Sequence, residues 1–174
     1  IARDEETLLK EETTVALPEK AKKTDIFLVM SEEGRVGELV RFDPATGKVE
    51  TRSGVKIAGR FYIQDDGSLL VLGSRGGAYS VLRLDAQTLE IEASGGDRVS
   101  GDSVIVSGDR GIYCVVVSEG ETYLGRFDRT LALADRSQET VLSYTTIQVT
   151  RDTVYVQDTS GGIILLDPES LERR

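Results

Sequence analysis

The sequence predicts an all-β chain built from four copies of one antiparallel unit. Three observations predict it. An apolar tetrapeptide runs into an Asp-led turn four times: Leu39-Val40-Arg41-Phe42 before Asp43, Val81-Leu82-Arg83-Leu84 before Asp85, Leu124-Gly125-Arg126-Phe127 before Asp128, and Ile163-Ile164-Leu165-Leu166 before Asp167. The steps between these aspartates are 42, 43 and 39 residues. Two further sets of turns keep the same interval. One is Asp65-Asp66-Gly67, Gly108-Asp109-Arg110-Gly111 and Thr150-Arg151-Asp152; the other is Glu33-Gly34, Ser74-Arg75-Gly76-Gly77, Glu119-Gly120 and Ser160-Gly161-Gly162. Between them lie only short strand-like runs, which is the all-β pattern. Three turns per period make a four-stranded meander, and a period near 40 residues made of strands is that of a β-propeller blade. Four such blades form either a small four-bladed ring or half of a larger ring, such as an eight-bladed one completed by two chains.

The elements follow in order. Residues 1–24 are rich in charge, and Ala2–Glu12 reads as a short polar helix or linker, the end of a helical region upstream. Its apolar face is only Leu8 and Leu9, too little for a stable isolated helix. The chain begins at Ile1 rather than Met, so it reads as a processed or excised piece. The propeller-like domain is expected over 25–174. Its first blade has three strands at 25–52, and a fourth would come from Thr13-Thr14-Val15-Ala16-Leu17 or from another chain; β-branched residues favour the former. The later blades are expected at 54–94, 97–137 and 141–174.

Within each blade the second strand is the most apolar: Ile26–Met30, Leu69–Leu72, Ile112–Val117 and Val154–Val156. Continuous apolar runs suit strands buried on both faces. The fourth strand is short and charged at alternate positions: Val49–Arg52, Leu89–Glu92 and Leu171–Arg174. Such charge protects an exposed sheet edge from pairing with other chains.

Composition excludes several functions. The chain has no His, no Trp, no Asn and one cysteine, Cys114. Without His there is no Ser-His or Cys-His nucleophile and no His metal site. A net charge of −9 opposes binding to nucleic acid or to an anionic membrane. No apolar run approaches the ~20 residues of a membrane-spanning helix. Asp65-Asp66-Gly67-Ser68 lacks the alternating ligands and distal Glu of a calcium loop and reads as a tight hairpin. Cys114 lies inside an apolar strand and reads as a small buried hydrophobe. Nothing in the residues calls for a metal or cofactor.

The turn Phe42-Asp43-Pro44-Ala45-Thr46-Gly47-Lys48-Val49-Glu50 resembles the hairpin of pyrroloquinoline-quinone-type and YVTN-type propeller repeats. Asp85-Ala86-Gln87-Thr88-Leu89-Glu90 and Asp167-Pro168-Glu169-Ser170-Leu171-Glu172 are degenerate copies, and Asp128-Arg129-Thr130-Leu131 is one residue shorter. The resemblance implies the fold alone. The quinone enzymes of that group use Trp-rich blade contacts, and this chain has no Trp. A charged region followed by a propeller-like domain is also similar to spirochaetal surface-antigen proteins, which implies a bacterial cell-envelope or periplasmic setting.

In a propeller, the connections between blades and one set of hairpin turns share a face. Here they carry Arg35, Arg75, Arg98 and Arg136, the candidate binding residues for a carboxylate-bearing ligand or an acidic peptide. The functional expectation is a non-enzymatic protein–protein interaction or scaffold module at the C-terminal end of a larger protein. The alternative is a small-ligand or carbohydrate-binding, even hydrolytic, propeller with carboxylates converging in its channel.

Overall fold

A computed structural model of the chain describes residues 26–31, 36–65 and 67–174. The expected segments 1–24 and Thr13–Leu17 lie outside them, as does Arg35. The described residues are all-β and antiparallel, with no helix. Thirteen strands follow in order: β1 (Ile26–Ser31), β2 (Val36–Phe42), β3 (Val49–Asp65), β4 (Ser68–Arg75), β5 (Ala78–Asp85), β6 (Ile91–Ser94), β7 (Val106–Gly108), β8 (Gly111–Ser118), β9 (Glu121–Phe127), β10 (Leu133–Thr140), β11 (Gln148–Val149), β12 (Val154–Gln157) and β13 (Ile163–Leu166).

The sequence predicts four separate meanders. The strands instead form a six-stranded sheet, β1 to β6 in order, a four-stranded sheet, β10-β9-β8-β7, and a three-stranded sheet, β11-β12-β13. The first two repeats share a sheet because the outer strand of one runs straight into the first strand of the next. This single strand, β3, pairs with β2 through Ala58 and with β4 from Lys56 onward. Gly54 and Gly59 take positive φ of 62° and 78° within it, and the ladder slips register beside them. Glycine permits such left-handed bends in a strand, where other residues are strained.

The outer strands also begin later than expected. Leu89 and Glu90 belong to the turn, and β6 starts at Ile91. Leu171–Arg174 forms no strand; a single bridge joins Arg173 to Leu166. The hairpin turns match expectation: Gly76-Gly77 and Glu119-Gly120 have positive φ at both central residues, the geometry that suits the strand twist.

Three apolar cores lie between successive repeats, the first between the two halves of the six-stranded sheet and the other two between sheets. The β4 and β8 strands alternate between two of them, as strands buried on both faces must. Leu69 and Val71 face a core shared with Leu39, Leu82 and Leu84, while Leu70 and Leu72 face the next, shared with Val81, Ile112, Cys114 and Phe127. In β8, Tyr113 and Val115 turn to the third core, with Leu124, Val154, Ile164 and Leu166. Two crossing residues tie the sheets at their edges. Val99 bridges both Tyr79 and Val116, and Val141 bridges Asp158.

Candidate functional site

The Asp-led turns are the most regular feature of the surface, and their carboxylates are occupied by their own turns. Asp43 accepts from the Ala45 N–H and the Thr46 hydroxyl, each at 2.8 Å. Asp85 accepts from the Gln87 and Thr88 N–H groups at 2.8 and 2.6 Å. Asp128 accepts from the Thr130 N–H and hydroxyl, both at 2.7 Å, and from the Ala132 N–H. Asp167 accepts from Glu169 and Ser170 N–H groups, and from the Arg174 guanidinium at 2.8 Å. A fifth such residue, Asp158, caps the β12–β13 turn through the Ser160 hydroxyl and the N–H groups of Ser160 and Gly162. Its role was legible in Asp158-Thr159-Ser160-Gly161-Gly162, an Asp followed by a hydroxyl and glycines.

These donors favour the charged carboxylate, so every one of the five titrates below its ordinary value. The largest cause is the Ala45 N–H at Asp43, the Thr88 N–H at Asp85, the Thr130 hydroxyl at Asp128, the Ser160 hydroxyl at Asp158 and the Arg174 guanidinium at Asp167.

The turns led by Asp85, Asp128 and Asp167 also dock on the preceding repeat, through contacts that the sequence reading missed. The arginine two residues before the Asp reaches into the following turn. Arg41 donates to the Gln87 carbonyl at 2.7 Å, Arg83 to the Arg129 carbonyl at 2.9 Å, and Arg126 Nε to the Glu169 carbonyl at 2.8 Å. The signal was present: Arg-x-Asp stands in three of the four repeats, and Leu165 replaces the arginine in the last. Arg126 spends its remaining donors on the Arg110 carbonyl and the Asp135 carboxylate. Four residues into the longer turns, and three into the short one, a leucine plugs the core. Leu89, Leu131 and Leu171 are 0, 1 and 0% exposed, each at a positive φ of 57–69°. The first repeat has Gly47 there, with nothing within 4 Å of the place a Cβ would occupy.

Buried hydroxyls are structural. The Ser53 and Ser137 hydroxyls accept the N–H groups of Leu39 and Leu124, while Ser103 and Thr145 accept those of Val115 and Gln157. Each also donates to a nearby carbonyl. They fill gaps in the ladders where strands diverge, and with both functions engaged none is presented as a nucleophile. Cys114 is fully buried, and burial pushes its thiol well above the ordinary value.

The arginines singled out from sequence are placed as follows. Arg75 ends β4 beside the Gly76-Gly77 turn. Arg98 is exposed, and its carbonyl accepts the Val117 N–H near the Glu119-Gly120 turn. Both thus belong to the same end of the stack. Arg136 is exposed on β10, with β8 and β9 between it and Arg98, and stacks over the Tyr123 ring at 4.2 Å. Its backbone pairs with Gly125, three residues along from the Thr122 that is level with Arg98, so the two are about three strand spacings apart across the sheet, roughly 14 Å, and a further ~10 Å apart along it. The opposite end carries mixed charge, and Arg110 there is paired with Glu169 at 2.8 Å. A groove of about 370 Å³ is lined by Arg110 and Arg129 with Asp109 and Asp128, and an adjoining one of about 220 Å³ by Arg110 and Arg151. A third, shallow groove of about 270 Å³ lies on the last sheet, against Gln148, Tyr155, Gln157 and Ile163.

Among the described residues no group of three acidic or thiol side chains is placed to hold a metal ion. Among these residues no helix is long and apolar enough to cross a membrane. The chain matches no protein-family model and no curated protein.

Proposed function

We propose that the chain is a non-enzymatic protein–protein interaction module of four propeller-type repeats, within a larger protein of the cell-envelope kind. One observation carries this reading: the same inter-repeat contact recurs three times, from Arg41 to Gln87, Arg83 to Arg129 and Arg126 to Glu169. A unit that locks each copy to the next by the same contact builds a rigid stack that displays turns and connections along both of its loop edges. Rigid elements that display loops are suited to recognition. The turn carboxylates support the same reading. A general acid needs a raised pKa, whereas these five aspartates are held low by their own turns.

The partner surface is taken to be the exposed arginines, Arg98 and Arg136 on one side and Arg129 and Arg151 on the other, so an acidic peptide is the chemistry to test. A fluorescent decapeptide of alternating Asp and Glu, titrated by anisotropy against the full chain, tests this. Saturable, salt-sensitive binding is expected. Its loss in Arg98→Ala locates the site at the end nearer the Gly76-Gly77 turn, its loss in Arg136→Ala on the outer strand β10, and its loss in Arg129→Ala/Arg151→Ala at the opposite end. Absence of binding by the unaltered chain, or turnover of chromogenic glycosides above the blank rate, overturns the proposal.

A further inference from the structure

The stack has an uncovered end with a defined chemistry. In the first three repeats the residue four places before the Asp faces the following repeat: Leu39, Val81 and Leu124, all 0% exposed. In the fourth repeat this residue is Ile163, which is 68% exposed, beside Leu165 at 39%. Register equates the neighbouring strand as well. Tyr113 pairs with Arg126, and Tyr155 pairs with Leu165, so Tyr155 occupies the position of Tyr113. The Tyr113 hydroxyl is buried and donates to the Pro168 carbonyl at 2.6 Å. The Tyr155 hydroxyl has no hydrogen-bond partner among the described residues. Gln148 and Gln157 complete this face, which carries no charge on a chain that is 29% charged.

The other end of the chain carries the matching half. Only two of the four turns are Asp-Pro turns, Asp43-Pro44 and Asp167-Pro168. The second is docked, with Pro168 buried against Tyr113; the first is exposed at Pro44, Ala45 and Gly47. Both keep the same internal pattern, an Asp oxygen accepting the N–H two residues on. The side chains around them are exchanged in a complementary way. Inner contacts place an arginine on the sheet and a leucine on the turn, as in Arg126 with Leu171. The two free ends place Leu165 on the sheet and Gly47 on the turn. Apolar volume lost from the turn is thus supplied by the sheet, and no charge is left to be buried.

We propose that the last sheet of one chain, around Tyr155, Ile163 and Leu165, receives the Asp43-Pro44 turn of a second copy. The contact continues the one made between repeats within the chain, and so rests on the repeat reading above. Tyr155 donates to the Pro44 carbonyl, as Tyr113 does to Pro168, while Leu165 and Ile163 cover the Pro44 ring and the space beside Gly47. The contact is head-to-tail. Such contacts close into rings when the rotation permits, two chains giving eight repeats.

The test is directional cross-linking of the full chain with a short bismaleimide, Cys114 being buried. Chains carrying Ala45→Cys are mixed with chains carrying Leu165→Cys. Cross-linked pairs are expected in the mixture and not in either variant alone. Light scattering should give at least twice the 19.0 kDa chain mass, falling to one chain in Ile163→Asp with unchanged circular dichroism. The inner contact supplies the control: Arg126→Cys with Glu169→Cys in one chain should link internally. If the control links and the mixture does not, the docking proposal falls and the repeat reading stands. If the control itself fails, the repeat reading falls with it. Linking of Leu165→Cys chains to each other, or of both cysteines within one monomeric chain, also overturns the proposal.

Discussion

Tyr113 donates its hydroxyl to the carbonyl of Pro168 at 2.6 Å, 55 residues along the chain. The bond joins a buried residue of β8 to the last Asp-led turn, and it is made inside the core. Tyr113→Phe removes the donor and strands a buried carbonyl. The expected loss is about 1–3 kcal/mol, read as a lower urea midpoint with an unchanged slope.

The hydroxyl of Ser137 is the partner of the Leu124 N–H at 3.0 Å within a buried part of the ladder. Ser137→Ala should cost a similar roughly 1–3 kcal/mol, because alanine leaves that N–H unsatisfied. Ser107→Ala, at an exposed position, should fall within about 0.5 kcal/mol of the unaltered chain. Equal midpoints for the two variants would refute the structural role of Ser137.

Leu171 sets burial against backbone strain. Its φ of 57° disfavours any side chain, by about 1–3 kcal/mol. Removing a buried leucine costs about 2–5 kcal/mol. Leu171→Gly relieves the first and suffers the second, so a net destabilisation is expected. Glycine at 171 that stabilises the chain would show that the leucine side chain contributes little to the core.

Acid should destabilise the fold through the turns. Asp43, Asp85, Asp128, Asp158 and Asp167 all titrate lower in the folded chain than unfolded, where the value is near 3.8. A depressed folded value means the unfolded chain takes up protons first. The stability these groups confer is therefore complete above about pH 5 and is lost as the pH falls through 4 and below. Urea midpoints at pH 7 and pH 3 should differ, and Asp85→Asn should narrow the difference while keeping an acceptor in the turn. An unchanged difference in Asp85→Asn would remove that carboxylate from the account.

Cys114 is fully buried, with its thiol pushed up by desolvation. A disulfide reagent should leave the native chain unlabelled over hours and label one thiol once urea unfolds it. Rapid native labelling would mean that the core between the second and third repeats opens readily.

The β class, the apolar strands and the Asp-led turns were all readable from the sequence. Each follows from local chemistry: alternation or continuity of apolar residues, and an Asp placed to bond the N–H groups just ahead of it. Leu69–Leu72 and Ile112–Val116 are buried on both faces, as continuous apolar runs require. What a residue meets 40 or more positions away was not readable. Leu89 and Leu171 look like the first residues of outer strands, because nothing local says that a leucine will accept a left-handed φ to fill a core. Arg41, Arg83 and Arg126 look like solvent-facing strand residues until the next turn is brought within hydrogen-bond reach. The boundary expected between residues 52 and 54 is no break, because pairing on both edges makes β3 a single strand, bent at Gly54 and Gly59. Hydrogen bonds within a turn are set by neighbours in the chain, so the sequence determined them. Contacts between sheets depend on how each sheet twists and stacks on the next, and only the tertiary structure decided those.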